Sequence, residues 1–247
     1  MFNKPLNPQF CQTDVSGSAL VLGDCFDVFP YIKDNSIDAI ICDLPYGVTW
    51  EKWDSILPMS KLWNEYNRII KKGGAIVLFS TQPFTTKLIQ SNIDNFKYSW
   101  YWIKSNKGNY LNAKYQPLRQ VEEISVFNKH NYYPIGLKEY NKERGRGTGA
   151  KTTLCNYSSE WKQEKTGYPS NVLNFKNDMT GLHSTQKPID LLKYLVETYT
   201  NENDIVLDNT MGSGTTCLAA KELNRKFIGI EKEQKYYDIA VARICGS

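Results

Sequence analysis

The stretch Ile40-Ile41-Cys42-Asp43-Leu44-Pro45-Tyr46-Gly47 constrains the fold most, because an apolar run stops abruptly in a carboxylate, a ring-locked residue, an aromatic and a glycine. The unbroken run from Ile40 to Cys42 reads as a buried strand of the kind found in parallel sheets covered by helices. Pro45 stiffens the following turn, and Gly47 lets the backbone leave in a direction other residues resist. Asp43 and Tyr46 are therefore expected at the strand's carboxyl end, where α/β folds place ligands. Taken alone, these residues fit an ordinary polar loop as well.

The rest of the chain repeats the alternation. Ala19 to Leu22 reads as a strand, followed by Gly23-Asp24-Cys25 and a short helix carrying Phe26, Phe29, Tyr31 and Ile32 around Pro30. Ile37 to Cys42 is the next strand. Pro58 opens a helix with Leu62, Trp63, Tyr66, Ile69 and Ile70 at helical spacing, and Lys71-Lys72-Gly73-Gly74 supplies cations and a glycine stop. Ala75 to Phe79 is a strand, Ser80 to Pro83 caps a helix running to about Ile93, and Phe96 to Ile103 is an aromatic-rich strand. From Lys104 to about Phe175 the texture turns irregular, with Val121 to Phe127 the one convincing strand. Order returns at His183-Ser184-Thr185-Gln186-Lys187-Pro188, ahead of a helix carrying Ile189, Leu192, Leu195, Val196 and Tyr199. Then Asp204 to Asp208 is a strand, Asn209 to Gly214 a glycine turn, Thr215 to Leu223 a helix, and Lys226 to Ile230 a strand ending in Glu231. The expected organisation is an α/β domain from 19–103 and 176–247, with a weakly patterned arm at 1–18 and an inserted irregular region at 104–175.

Composition narrows the class. A net charge of +4 permits a polyanionic partner without demanding one. The six cysteines form no C-x-x-C pair, and with only His130 and His183 no metal site is expected. No apolar run approaches a membrane span, and Met1 to Ser18 is polar with two prolines, unlike a signal peptide. A reduced, cytoplasmic setting is the expectation.

The Gly212-x-Gly214 turn sits between a strand and a helix, with Glu231 seventeen residues beyond Gly214. A glycine turn lets backbone approach a ligand, and a carboxylate ending the next strand can accept both hydroxyls of a ribose, so a nucleoside-containing cofactor follows. The plainer reading is a tight turn with an exposed Glu. In the irregular region, Arg144-Gly145-Arg146-Gly147-Thr148-Gly149-Ala150-Lys151 is basic and glycine-rich. Arg144, Arg146 and Lys151 suit a phosphate backbone, or simply a solvated loop. Its glycines are not a dinucleotide fingerprint, since no strand leads in and no apolar helix follows. Trp50 and Trp53 either cover a planar group or pack their own loop down.

Three motifs add a resemblance. Asp43-Leu44-Pro45-Tyr46 resembles the D-P-P-Y signature of DNA amino-methyltransferases, Asp208-Asn209-Thr210-Met211-Gly212-Ser213-Gly214 resembles their S-adenosylmethionine loop, and Thr185-Gln186-Lys187-Pro188 matches T-Q-K-P. The order, catalytic tetrapeptide first and cofactor loop last, is similar to the β group. That resemblance implies a Rossmann-like methyltransferase fold with a mostly parallel sheet, helices on both faces and a target-recognition element in 104–175. It implies a base flipped into a pocket beside S-adenosylmethionine.

By the same resemblance, the Asp43 carboxylate and Leu44 carbonyl accept the amino protons of adenine, Pro45 fixes the geometry and Tyr46 stacks on the base. Leu44 departs from the family's proline, but a role through its carbonyl does not need that ring. Glu231 is assigned to the ribose, Gly212 and Gly214 to backbone contact, Asp208 and Thr210 to the methionine end, Asp24 and the Cys25 amide to the adenine ring. Thr185 and Lys187 are assigned to the methionine carboxylate, with a surface ion pair as the alternative for Lys187. Restriction-modification and a homodimer are also within the family's range. The expected activity is N6-adenine methylation of DNA. N4-cytosine methylation is the near rival, since two acceptors serve either amine; an RNA or protein methyltransferase, a silent DNA-binding module and a nicotinamide oxidoreductase are further alternatives.

Overall fold

The structure is a computed structural model describing residues 1–7, 9–47, 54–144, 161–178 and 186–246, with side chains not described at 141–144 and 161–163. In chain order the elements are β1 (Cys11–Val15), β2 (Ser18–Leu22), α1 (Cys25–Val28), β3 (Ile37–Asp43), α2 (Met59–Ile69), β4 (Ile70–Ser80) and α3 (Phe84–Gln90). There follow β5 (Phe96–Gly108), β6 (Arg119–Phe127), β7 (Lys138–Arg144), β8 (Trp161–Thr166), β9 (Val172–Asn174), α4 (Ile189–Tyr199), β10 (Ile205–Asp208), α5 (Thr215–Glu222), β11 (Lys226–Glu231) and α6 (Gln234–Cys245). Contacts divide the chain into a larger unit, 1–133 and 171–247, and a smaller one, 134–170. The smaller unit holds the antiparallel β7–β8 hairpin.

The larger unit is a nine-stranded sheet in the order β1-β2-β11-β10-β3-β4-β6-β5-β9. The five central strands from β2 to β4 are mutually parallel, whereas β1 and β6 join antiparallel. Alternate side chains of each central strand enter opposite cores, which is why the strands read as unbroken apolar runs. Ala39, Ile41, Ala75, Val77 and Phe79 pack under α4, α5 and α6, with Leu192, Leu195, Val196, Ala220 and Ile244. Ile40, Cys42, Ile76 and Leu78 pack on the other face against Leu62, Trp63, Tyr66 and Leu88 of α2 and α3. The α/β, mostly parallel architecture with helices on both faces is thus present.

Several local expectations change. The helix α2 stops at Ile69 because Ile70 is already extended (φ −71°, ψ 138°), so Lys71 and Lys72 belong to β4 and not to a helical last turn. Lys71 instead pairs with Asp38 at 2.7 Å. Pro83 starts α3 without a side-chain cap; Ser80 accepts the Thr85 hydroxyl at 3.0 Å. Residues 11–15 of the weakly patterned arm form β1 on the edge of the sheet, where a polar, largely exposed strand leaves no apolar signature.

The chain passes outward to β4 from β3 and outward to β11 from β10, and β3 and β10 are neighbours. The sheet order therefore reverses between Asp43 and Asp208, at the carboxyl ends of both strands. A crevice at such a reversal is where open α/β sheets bind ligands.

Candidate active site and cofactor pocket

One cavity of about 700 Å³ opens at this reversal, lined by both Asp43 and Asp208, by Leu44, Pro45 and Tyr46, and by Asp24, Cys25, Gly212 and Glu231. Its size falls within the roughly 300–1,000 Å³ of small-molecule sites. The two chain segments meet directly: the Thr210 hydroxyl donates to the Asp43 carbonyl at 3.1 Å.

Asp43 is the centre of a part-buried polar cluster at the cavity wall. Its Oδ1 accepts the Tyr46 hydroxyl at 2.5 Å, and its Oδ2 accepts Lys187 Nζ at 2.5 Å. Lys187, 8% exposed, also reaches Glu122 Oε1 at 2.9 Å, and Tyr46 donates to the same oxygen at 3.1 Å. Two carboxylates thus share one buried ammonium and one phenol. Burial drives the Asp43 carboxyl above its usual range, only partly offset by Lys187 and reinforced by Glu122. Burial also works against the Glu122 carboxylate, but Lys187 and then Lys104 outweigh it and hold that group below its usual range. Burial opposes the charge on Lys187, yet the two carboxylates keep its ammonium firmly protonated.

The loop after Asp43 is held by packing. Leu44 is 3% exposed and packs in the core on the α2 side of the sheet, so a buried side chain anchors the loop where the family has proline. The Tyr46 ring stacks on Phe84 at 5.3 Å and 25°. Asp54, also buried, accepts the Gly47 N–H at 2.8 Å and ties the loop's far end.

The second half of the cavity is built on β10, α5 and β11. Glu231 Oε2 accepts the Gly212 N–H at 2.9 Å and Oε1 the Glu233 N–H at 2.8 Å, leaving each oxygen a further lone pair. Gly212 and Gly214 have φ of 52° and 76°, a backbone that L side chains resist. Gly214 is further constrained because a Cβ there would sit 2.9 Å from Ala240 and Ile244 of α6. Asp24 caps α1 by accepting the Phe26 N–H at 2.9 Å.

Asp208, 4% exposed, is pushed up to about 7, chiefly by burial, against hydrogen bonds from Thr216 and the Thr210 amide. An acid raised on folding contributes stability that is complete below its unfolded value and lost as pH rises through the folded one. The unfolding midpoint of the ligand-free protein should therefore fall from about pH 4 to about pH 7 and level off above the folded value. Asp208→Asn should flatten that fall, which thermal unfolding at pH 5, 6, 7 and 8 measures; an equal slope in both proteins would contradict the assignment.

The residues fit a sulfonium nucleoside. Glu231 offers acceptors for paired hydroxyls, and Asp208 can carry a charge that complements a cationic ligand. Next to it, Asn209 has its Oδ1 held by the Tyr66 hydroxyl at 2.5 Å and by the Cys42 thiol at 3.0 Å, and its side chain also hydrogen-bonds to Cys25.

The cavity thus brings together the residues assigned to base and cofactor, apart from Gly214, which packs against α6 and does not line it, and Thr185, which lies outside the described residues, as do Arg146, Lys151, Trp50 and Trp53. Arg144 ends β7, in the smaller unit. Lys187, assigned to the methionine carboxylate, has Asp43 and Glu122 as its ion-pair partners, and its ammonium is buried at the cavity and not on the outer surface. Sequence reasoning missed Glu122. Its signal is the strand period: Glu122 is in phase with the buried Ile124 and Val126, and a carboxylate in that phase is seldom idle.

The chain is similar over most of its length to DNA methyltransferases. A family model described as DNA methylase, the N6/N4 methyltransferases, matches residues 37–242. The type II methyltransferase M.HindIII of Haemophilus influenzae is 27% identical over 86% of this chain and 90% of that enzyme. The type II methyltransferase M.HinfI of the same species is 29% identical over 92% and 68%. The solved M1.HpyAVI–SAM complex superposes with a TM-score of 0.62 at 26% identity, covering 91% of this chain and 98% of that one. PvuII DNA methyltransferase, cytosine-N4-specific, shares the fold with a TM-score of 0.67 at 17% identity over 91% and 85%. With the match spanning both halves of the cavity, the chain belongs to the DNA methylase family, as a β-group, S-adenosylmethionine-dependent DNA methyltransferase.

Proposed function

We propose that the methyl acceptor is the N6 amino group of an adenine flipped out of DNA. The supporting observation is the Asp43 carboxylate, held at the cavity wall between Tyr46 and Lys187, with Glu231 and Asp208 lining the same space. An exocyclic amine is a poor nucleophile because its lone pair is delocalised into the ring. Acceptors on its two hydrogens, here Asp43 and the Leu44 carbonyl, draw the nitrogen toward tetrahedral geometry. S-adenosylmethionine supplies an electrophilic methyl group when bound. The methylated nitrogen must then release a proton, and a carboxylate raised by burial is suited to take it. An acidic first residue in the tetrapeptide favours adenine by resemblance, since serine is common there in cytosine enzymes.

Glu122 is the positioning residue of this reading, because it draws Lys187 partly away from Asp43. In Glu122→Gln the ammonium pairs with Asp43 alone and lowers its basicity. Turnover should drop about tenfold and the acidic limb of the rate profile move to lower pH, with cofactor affinity within about twofold. An unshifted profile would remove Glu122 from the account.

The proposal is tested by transfer of a labelled methyl group to duplex DNA followed by digestion to nucleosides. Labelled N6-methyladenine is the expected product, and N4-methylcytosine alone would replace it with the rival activity. Offering RNA and protein as competing acceptors tests the remaining alternatives; preferential labelling of either would displace DNA.

A further inference from the structure

Between β5 and β6 the chain leaves the sheet through Asn109, in the left-handed conformation (φ 71°), and makes a 3-10 turn over Tyr110–Asn112. Residues 110–117 are all exposed, yet they are not uniformly polar. Leu111 is 98% exposed, Tyr115 87% and Tyr110 67%. A single exposed leucine is ordinary, but three large apolar side chains within six residues of one loop contribute little to this fold, since so little of each is buried.

The loop is nonetheless preformed. Asn112 Nδ2 donates to Asn109 Oδ1 at 2.7 Å, and the amides of Ala113 and Tyr115 donate to Tyr110 and Asn112 carbonyls at 3.1 and 2.9 Å. These bonds form a knuckle that presents Leu111 to solvent. Its base borders the cavity, for Gly108, Asn109 and Arg119 line the same space as Asp43 and Tyr46. The segment is also one-signed: Lys104, Lys107, Lys114 and Arg119 occur with no Asp or Glu between 104 and 121. Apolar tips on a cationic loop beside the base pocket fit a stacked polyanion.

We propose that this loop is the wedge that enters the DNA stack when the target base is extruded, with Leu111 filling the vacated space, Tyr110 and Tyr115 packing on the neighbouring nucleotides, and Lys107, Lys114 and Arg119 meeting phosphates. The proposal rests on the reading that DNA is methylated at a flipped base. Extrusion unstacks the duplex, and an apolar side chain in the gap offsets part of that cost. Because Leu111 supports no contact in the core, its truncation changes the wedge and leaves the fold alone.

The test compares wild type with Leu111→Ala, in single turnovers, on two duplexes carrying the methylated sequence. One has the target base paired, and the other has the opposite base removed. The variant should be slower by about tenfold or more on the paired duplex and within about twofold of wild type on the second, where extrusion needs little help. Cofactor affinity and unfolding midpoint should be unchanged. Wild-type rates on the paired duplex, or an equal loss on both duplexes, would overturn the wedge. So would a change in sedimentation of the free protein with methylation unaltered, which would mark the loop as a contact between copies of the chain. If wild type itself labels neither duplex, the DNA-methylation reading fails rather than the wedge alone.

Discussion

Replacing Asp43 with alanine is expected to cut methyl transfer by about 10³-fold while leaving S-adenosylmethionine affinity within a few-fold. The reason is the division of the cavity. On the proposed reading Asp43, whose oxygens hold Tyr46 and Lys187, serves the methyl acceptor, whereas Glu231 and Gly212 serve the cofactor. The variant should also fold, because Lys187 keeps its ion pair with Glu122 at 2.9 Å and is not left as an isolated buried charge. Single-turnover rates with calorimetric titration of the cofactor separate the two effects. Retained turnover would remove Asp43 from the chemistry, and lost cofactor binding would place it on the wrong side of the cavity. Asp43→Asn sharpens the result: it keeps one acceptor but not the basic carboxylate, so activity restored to near wild type would argue against proton acceptance.

Glu231→Ala should do the reverse. Hydrogen bonds to a charged group are worth about 1.5–3 kcal/mol each, so losing a carboxylate proposed to accept from two ribose hydroxyls should weaken cofactor binding by roughly 100-fold or more. Part of the loss comes from within the protein, since the same carboxylate holds the Gly212 and Glu233 amides at 2.9 and 2.8 Å. Removing it frees the turn that lets backbone approach the ligand. At saturating cofactor the rate should recover to within several-fold of wild type, which distinguishes a binding residue from one acting on the base. A cofactor affinity unchanged in Glu231→Ala would contradict the assignment.

The central fold was legible because its strands are buried on both faces. Ile37–Asp43, Ile205–Asp208 and Lys226–Glu231 read as apolar runs ending in acids, and each is a parallel strand of the sheet. Strand order was not legible, because a sequence does not state that β3 and β10 are neighbours; that adjacency is what joins Asp43 to Thr210. Elements that bury little were also hidden. The strand Cys11–Val15 is mostly exposed, and the hairpin of Lys138–Arg144 with Trp161–Thr166 lacks apolar alternation. Lys187 was found by its motif, but its partners were not, since Glu122 lies 65 positions away and only the paired strands bring it alongside.

The most direct measurement is base-resolved mapping of methylation on a plasmid from cells expressing the wild-type chain or Asp43→Ala. The account predicts N6-methyladenine at a recurring sequence with wild type and its disappearance in the variant. N4-methylcytosine in its place, or marks that persist without Asp43, would contradict it.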